Sequence, residues 1–314
     1  MPPLAALILD WILTALWPII GKAGTRLFTG VLFAQAGMLV GLLSLAPWLA
    51  AGGRWRRIVS PELRGPLFLA GLFGSGLSSF LLISALEHTT PANAAVMCQS
   101  EVLYSALLCA WLLGERITLS QSLGSLLVVA GTGLIMIHDL STPRWKGDLM
   151  ILLTPWMFQV SHICAKRLPP DLDPVTITGA RLFYGALTLL PFSFWSLTGN
   201  PRWSLAPEAI LVLAAQGLLM YASNHVLWYL AIRRMDLSKA TAVMLSYPAL
   251  TALFSWGLGQ ERLEALQLAG LALTLSGAYW ITTLLARKEE PRPEGRPALP
   301  GLTIARHQIV PEGD

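Results

Sequence analysis

Long apolar stretches and short polar connectors take turns along most of the chain. The stretches run for about 20 residues, the length a helix needs to cross the hydrocarbon core of a bilayer. Within them apolar and polar positions show no period of two, which argues against an outer-membrane barrel. The pattern predicts ten helices, over about residues 4–21, 28–49, 66–86, 92–113, 120–138, 147–166, 174–197, 207–231, 237–258 and 264–285. The connectors are rich in Pro, Gly and charge, which punctuate helices. Residues 287–314 (RKEEPRPEGRPALPGLTIARHQIVPEGD) are rich in Pro and charge and predict a disordered cytoplasmic tail with no core to bury.

One stretch occurs twice. It reads AVMCQSEVLYSALLCAWLLGERITLSQSLGSLLVVAG from Ala95 to Gly131, and TAVMLSYPALTALFSWGLGQERLEALQLAGLALTLSG from Thr241 to Gly277. Glu115 and Glu261, Gln121 and Gln267, Gly124 and Gly270, and Gly131 and Gly277 each stand 146 positions apart, so the copies align without a gap. Duplication on this scale means two similar structural units, here residues 1–139 and 140–286. Each unit holds five predicted helices, an odd number, so the second must enter the membrane from the opposite side. The expected fold is an all-α integral membrane protein of ten transmembrane helices in two inverted five-helix repeats. Such repeats are typical of secondary transporters, whose halves rock about a site near mid-membrane.

Composition sharpens this picture. Charged residues make up 13% of the chain, against roughly 25% in soluble domains. The net charge of +4 does not indicate nucleic acid as a partner, because the basic residues form no aromatic-studded face. They report topology instead. With the N-terminus inside, cytoplasmic connectors and the tail hold fifteen Lys and Arg residues and the outer connectors hold six, with Arg181 left inside a span. That bias places both termini in the cytoplasm. The N-terminus carries no Lys or Arg before its apolar stretch and reads as the first span, not as a cleaved signal. Cys98, Cys109 and Cys164 lie inside apolar segments and read as small core residues, not disulfides or metal ligands. There is no P-loop, nucleophile elbow, EF-hand or metal cluster. No cofactor is expected, and an ATP-driven pump is disfavoured.

The chain resembles the drug/metabolite transporter superfamily, in its ten-helix group built from two EamA-type domains. The residues that carry the resemblance are LLGERITLSQSLGSLLVVAG and LGQERLEALQLAGLALTLSG, with QSEVLYSALLCAWLLGE, SYPALTALFS and TGARLFYGALTLLP. It covers about residues 4–285. The resemblance implies a multi-pass carrier of the inner (plasma) membrane, usually an exporter of amino acids or small metabolites, with a cavity between the halves. Two positions depart from the family pattern. The Glu-Pro common in the fourth helix is Glu101-Val102 here, while the second copy keeps Tyr247-Pro248. An Arg is common early in the second helix of each unit. The second unit has Arg181, but the position 146 earlier is Gln35.

Several polar residues inside the spans are candidates for chemistry. Glu101 falls about ten residues into its span, and Tyr247 is its repeat partner. An intramembrane carboxylate costs roughly 2.5 kcal/mol or more unless paired or wetted. Glu101 is thus either a substrate-amine or proton site, or a protonated carboxyl that packs helices. Trp156, Gln159, His162 and Lys166 share one helical face. Gln159 and His162 either line a polar cavity or join helices, and His162 is a second proton-coupling candidate because imidazole changes charge near neutral pH. Lys166 reads as snorkelling to the surface. Gln216, Met220, Ser223, Asn224 and Trp228 form another stripe. Within it, Asn224 either contacts substrate or bonds to a neighbouring helix, while His225 points elsewhere and reads as structural. Gln35, Trp17, Tyr104 and Tyr184 are weaker cavity candidates. Asp10 and Arg181 lie at matching depth and read as a structural or gate pair. Glu115 and Glu261, in Glu-Arg corners at helix ends, read as fold determinants. Pro18, Pro155 and Pro248 are candidate bends, and Pro91 and Asn93 a candidate outer gate.

These features favour a secondary transporter of small organic solutes, an exporter working by alternating access and coupled to the solute gradient or to protons. Two other classes stay open at this point. An integral-membrane enzyme needs acidic and His clusters at one membrane face, or a soluble catalytic domain. A receptor or assembly factor needs long loops or a large cytoplasmic module. None of these is visible, and no catalytic residue is assigned. The expected partners are a small-molecule substrate and the lipid bilayer; a homodimer stays open.

Overall fold

The structure, a computed structural model, describes residues 1–86, 88, 98, 100–114, 117–135, 145–244, 246–257 and 265–286. The Glu115 and Glu261 corners, Pro91, Asn93 and the tail over 287–314 lie outside the described residues. The described chain is helical, and no strand occurs among these residues. The helices are α1 (Pro3–Leu27), α2 (Gly30–Ala50), α3 (Arg54–Ile58), α4 (Arg64–Gly71), α5 (Leu77–Leu86), α6 (Glu101–Leu113), α7 (Leu119–Ile135) and α8 (Trp145–Leu152). They continue with α9 (Pro155–Arg167), α10 (Pro174–Leu197), α11 (Pro207–Ala215), α12 (His225–Ile232), α13 (Leu237–Met244), α14 (Tyr247–Gly257) and α15 (Ala265–Ala286). Among the described residues, five helical stretches are long and apolar enough to cross a membrane: Pro3–Leu27, Gly30–Ile58, Arg64–Ala85, Pro174–Leu197 and Pro207–Ile232.

Local chemistry explains many boundaries. α1, α9, α10 and α11 open on proline, whose missing N–H is no loss in a first turn. Asp173 caps α10 by accepting the Thr176 N–H at 3.0 Å, satisfying an otherwise orphan donor. Between α2 and α3 the chain turns on Gly52 and Gly53, at φ 70° and 69°, a left-handed backbone that glycine adopts without strain.

Where sequence periodicity predicts single straight helices, the structure interrupts them. The third stretch is α4 and α5 joined by a π-helical turn, Leu72–Gly76. The eighth is α11 and α12 joined by a longer π-helical stretch, Gln216–Asn224. Shifting the first by 146 places it inside the second. The ninth stretch breaks at Ser246, between α13 and α14, and a turn at Ser100, 146 positions earlier, precedes α6. The sixth is split before Pro155, the bend expected there. At Pro248 the break comes just ahead of the proline, while α1 runs through Pro18 as a helix.

α7 and α15 cross at glycine. A Cβ on Gly131 would lie 2.6 Å from the Gly270 carbonyl, and one on Gly277 would lie 2.8 Å from the Gly124 carbonyl. The 146-residue shift turns one contact into the other. With no side chain in the way, the two backbones approach closely.

At one end of the molecule the basic connectors interlock. Arg54 pairs with Asp173 at 3.2 Å and Arg57 with Asp171 at 2.6 Å. Arg167 donates to the Leu112 carbonyl, Arg233 to those of Ala165 and Pro169, and Lys166 to that of Met235. The hydrogen bond from Arg57 holds the Asp171 carboxyl below the usual carboxylate range. Burial pushes Asp173 up, but the Thr176 donors and Arg54 outweigh it and leave this carboxyl lowered as well.

Candidate functional site

The interrupted helices border a cavity with two overlapping lobes, of about 190 Å³ and about 180 Å³, whose largely apolar walls carry several polar and charged side chains. Both are lined by Thr14, Glu101, Phe158, Arg181, Asn224, His225 and Tyr247. The first lobe adds Trp17, Gly74, Ser79, Leu82, Ile83, Cys98, Gln216, Met220 and Tyr221. The second adds Asp10, His162, Trp228, Thr241 and Met244. Each lobe by itself is smaller than the roughly 300 Å³ at which pockets for drug-sized ligands begin.

Each wall follows from local structure. α1 presents Asp10, Thr14 and Trp17, spaced by four and three residues on one face. Asn224 locks that face to the π-helical stretch by donating to the Asp10 carbonyl at 3.2 Å and to the Thr14 hydroxyl at 2.8 Å. Glu101 and Tyr247 are the first residues of α6 and α14. Each thus sits at the positive N-terminal end of a helical segment that starts partway through its predicted span. Gln159 donates to Glu101 Oε1 at 2.8 Å and to the Thr241 hydroxyl at 3.2 Å, and so fixes the carboxylate.

Arg181 is 3% exposed and firmly held. Its Nε donates to Ser75 Oγ at 2.8 Å, one Nη to the Tyr229 hydroxyl at 3.1 Å, and the other to the Gly74 carbonyl. Gly74 and Ser75 belong to the Leu72–Gly76 π-helical turn, and π-bulges frequently mark functional sites. Among the described residues these bonds use three of the five guanidinium N–H groups, and Arg181 lines both lobes.

The sequence expectations divide accordingly. Glu101, Tyr247, His162, Asn224 and Trp17 line the cavity. Gln159 supports it from behind through Glu101. Trp156 is not part of the wall; it packs on Phe73 with ring centroids 5.5 Å apart. Gln35 is buried elsewhere and donates to the Ala186 carbonyl at 3.3 Å. Tyr184 is taken up by the Ile58 carbonyl at 3.0 Å. Asp10 and Arg181 share a lobe, but among the described residues they form no ion pair, because the guanidinium turns to Ser75, Gly74 and Tyr229. His225, expected to point away, faces both lobes, and Ser223, expected on the inner stripe, is exposed. The cause is the π-helical stretch, whose wider turn advances the register of the residues after it. Cys98, expected in the core, stands in the cavity wall.

Sequence reasoning missed Thr14, Ser79 and Tyr221. Thr14 had a signal, four residues after Asp10, and so did Ser79, 146 positions before His225. Tyr221 had none without the π register. Among the described residues, no group of three His, Cys, Asp or Glu is placed to hold a metal ion.

Comparison with known proteins places this architecture. The chain is 25% identical over 248 residues to an uncharacterized transporter of Archaeoglobus fulgidus, covering 76% of this chain and 84% of the relative. It is 20% identical over 274 residues to the transporter YoaV of Bacillus subtilis, likewise uncharacterized, covering 85% and 92%. It is 28% identical over 259 residues to a probable terminal-alkyne amino-acid exporter of Streptantibioticus cattleyicolor, covering 81% and 85%. A crystal structure with 19% sequence identity shares the fold, at a TM-score of 0.75 over 91% of this chain and 98% of the other. These relatives carry the names of transporters, not enzymes. The model of the EamA-like transporter family matches residues 1–137 and again 145–283, and the chain belongs to that family.

Proposed function

We propose that this protein is a secondary transporter that passes small organic solutes, amino acids or related metabolites, outward across the inner membrane. The observation that carries this reading is the cavity itself. It gathers Glu101 and Tyr247, which open helical segments at positions that correspond between the two copies, beside Arg181 from the unbroken α10. Interrupted helices around a central polar site are the usual construction of a substrate site in such carriers. The probable amino-acid exporter among the relatives supports the solute class.

The two units, residues 1–139 and 140–286, are inverted repeats of five spans in this reading, and they rock about the cavity. The interchangeable glycine contacts of α7 and α15 support the two-fold relation. The end that carries Arg54, Arg57, Arg167 and Arg233 faces the cytoplasm. Its ion pairs cross from the first unit to the second and would open when that side opens.

Counterflow in proteoliposomes tests the function. Liposomes loaded with one unlabelled amino acid at a time should accumulate external labelled counterpart, and the Arg181→Gln variant should not. A broad amino-acid and metabolite panel that gives no counterflow would remove the reading. Cysteine labelling of the 51–63 and 198–206 connectors in intact cells tests sidedness; equal labelling of both would overturn the assignment.

A further inference from the structure

The second lobe holds one carboxyl more than it has fixed positive charge. Arg181 carries a permanent charge, since a guanidinium is not deprotonated in proteins. Glu101 and Asp10 face the same lobe, and their surroundings differ. Glu101 starts α6, where the helix dipole favours an anion, and accepts the Gln159 amide at 2.8 Å. It is the natural counter-charge to Arg181. Asp10 lies in the middle of α1, is 1% exposed, and its Oδ1 has no hydrogen-bond partner among the described residues. A bare anion there is strongly disfavoured.

The other titratable groups around Asp10 do not supply the missing charge. On α12, His225 bonds through Nδ1 to the Tyr221 carbonyl at 2.7 Å and shares the lobe with the permanent charge of Arg181, which disfavours a second positive charge there. On α13, Lys239 is engaged by Asp236 at 2.9 Å. Tyr247 on α14 and Tyr221 are phenols, neutral at ordinary pH. His162 on α9 stands edge-on to Trp228, with ring centroids 4.9 Å apart. The His162 Nδ1 and the Trp228 Nε1 are both buried without a partner among the described residues. This lobe therefore offers a carboxylate, unsatisfied ring nitrogens and an aromatic face, and aromatic faces attract ammonium ions.

We propose that Asp10 is a binding site for one unit of positive charge: the primary ammonium group of the solute, or a proton in its absence. The inference rests on the reading of the cavity as the solute path. Both occupants neutralise one carboxylate, so they exclude each other. When the ammonium group binds, the O–H bond of Asp10 breaks, its electron pair stays on the carboxylate, and one proton leaves to water. Solute moving one way then exchanges for a proton moving the other.

The test uses the full chain in detergent with four solutes: L-lysine, L-phenylalanine, L-glutamate and 3-phenylpropionate, which lacks the amine. Calorimetry in buffers of different ionisation enthalpy counts protons released per solute bound. An amine solute should release one proton where Asp10 is protonated, and below the pH at which Asp10 titrates its affinity should fall about tenfold per pH unit. Asp10→Asn should bind more weakly, release no proton and lose the pH dependence. Infrared spectroscopy of the unmodified protein adds a readout that needs no variant: a protonated-carboxyl band that vanishes as the amine binds. Binding without proton release, or release that survives Asp10→Asn and disappears in His162→Gln, overturns the proposal. So does the absence of that band, even with transport intact. The band without binding by any amine overturns the ammonium assignment and the transport of these solutes together, leaving only the proton on Asp10.

Discussion

Glu101 and Tyr247 stand on like backbones and do unlike chemistry. Each opens a helical segment just after a turn, at Ser100 and Ser246, and each faces the cavity. One presents a carboxylate and the other a phenol. Other cavity residues also have unlike counterparts 146 positions away, in the cavity or outside it. Arg181 answers to Gln35, His225 to Ser79, and Asp10 to Trp156. The carboxyls of the cavity, Asp10 and Glu101, come from the first unit, and its basic groups, Arg181, His162 and His225, come from the second. Duplication supplied two copies of one family domain, and substitution at matched positions divided the charges. The features that match at this spacing concern backbone, in the π-helical turns, the helix starts and the glycine crossing. The asymmetry concerns the side chains that line the cavity.

The largest break in this comparison exchanges Arg181 for the residue at its counterpart. Arg181→Gln removes a buried charge that ties α10 to the Leu72–Gly76 turn and to Tyr229. It should cost about 3 kcal/mol in denaturant unfolding in detergent and abolish counterflow. Gln35→Leu, which loses one hydrogen bond outside the cavity, should cost about 1 kcal/mol and leave counterflow in place.

The glycine crossing tests the shared frame. Gly131→Ala and Gly277→Ala drive a methyl against the Gly270 and Gly124 carbonyls respectively. Each should destabilise by about 2 kcal/mol, and by similar amounts if the contacts are equivalent. Gly133→Ala meets nothing within 4 Å and should be neutral or slightly stabilising. Unequal losses at Gly131 and Gly277 would break the two-fold relation.

The paired cavity positions should differ in worth. Glu101→Gln should weaken solute binding by about 2 kcal/mol and Tyr247→Phe by about 1 kcal/mol, because hydrogen bonds to charged groups are the stronger. Competition binding against a labelled solute measures both, and equal losses would erase the distinction.

The smallest effect lies at the basic end. Asp173→Ala removes the cap of α10 and the Arg54 partner and should cost about 1 kcal/mol. Asp171 and Asp173 titrate below the usual carboxylate range. Their stabilisation is therefore complete above the unfolded value of about 4 and is lost as pH falls through the lower folded values. Melting temperature followed from pH 6 to pH 3 should fall less steeply in Asp173→Ala.

Much of the helix plan could be read in advance, because apolar length and proline position act locally. The internal 146-residue register also pointed to Glu101 and Tyr247. The site was legible only in part. Asn224 and His162, picked out by helical spacing, and Trp17, a weaker candidate, all line the cavity. Trp156 shares the spacing of Gln159 and His162, yet Phe73 holds it away from the cavity. His225 was assigned outward and turned inward, because a π-helical stretch shifts register by an amount no local pattern records.

The amino-acid order settled the membrane character, the repeat and the inventory of intramembrane polar groups, because these depend on composition and periodicity along the chain. Packing settled the rest: which groups meet in the cavity, which donors Arg181 spends on Gly74, Ser75 and Tyr229, and that Asp10 has no ion pair among the described residues. Those outcomes turn on distances between helices far apart in the chain, and a few ångströms there separate a buried ion pair from an unanswered charge.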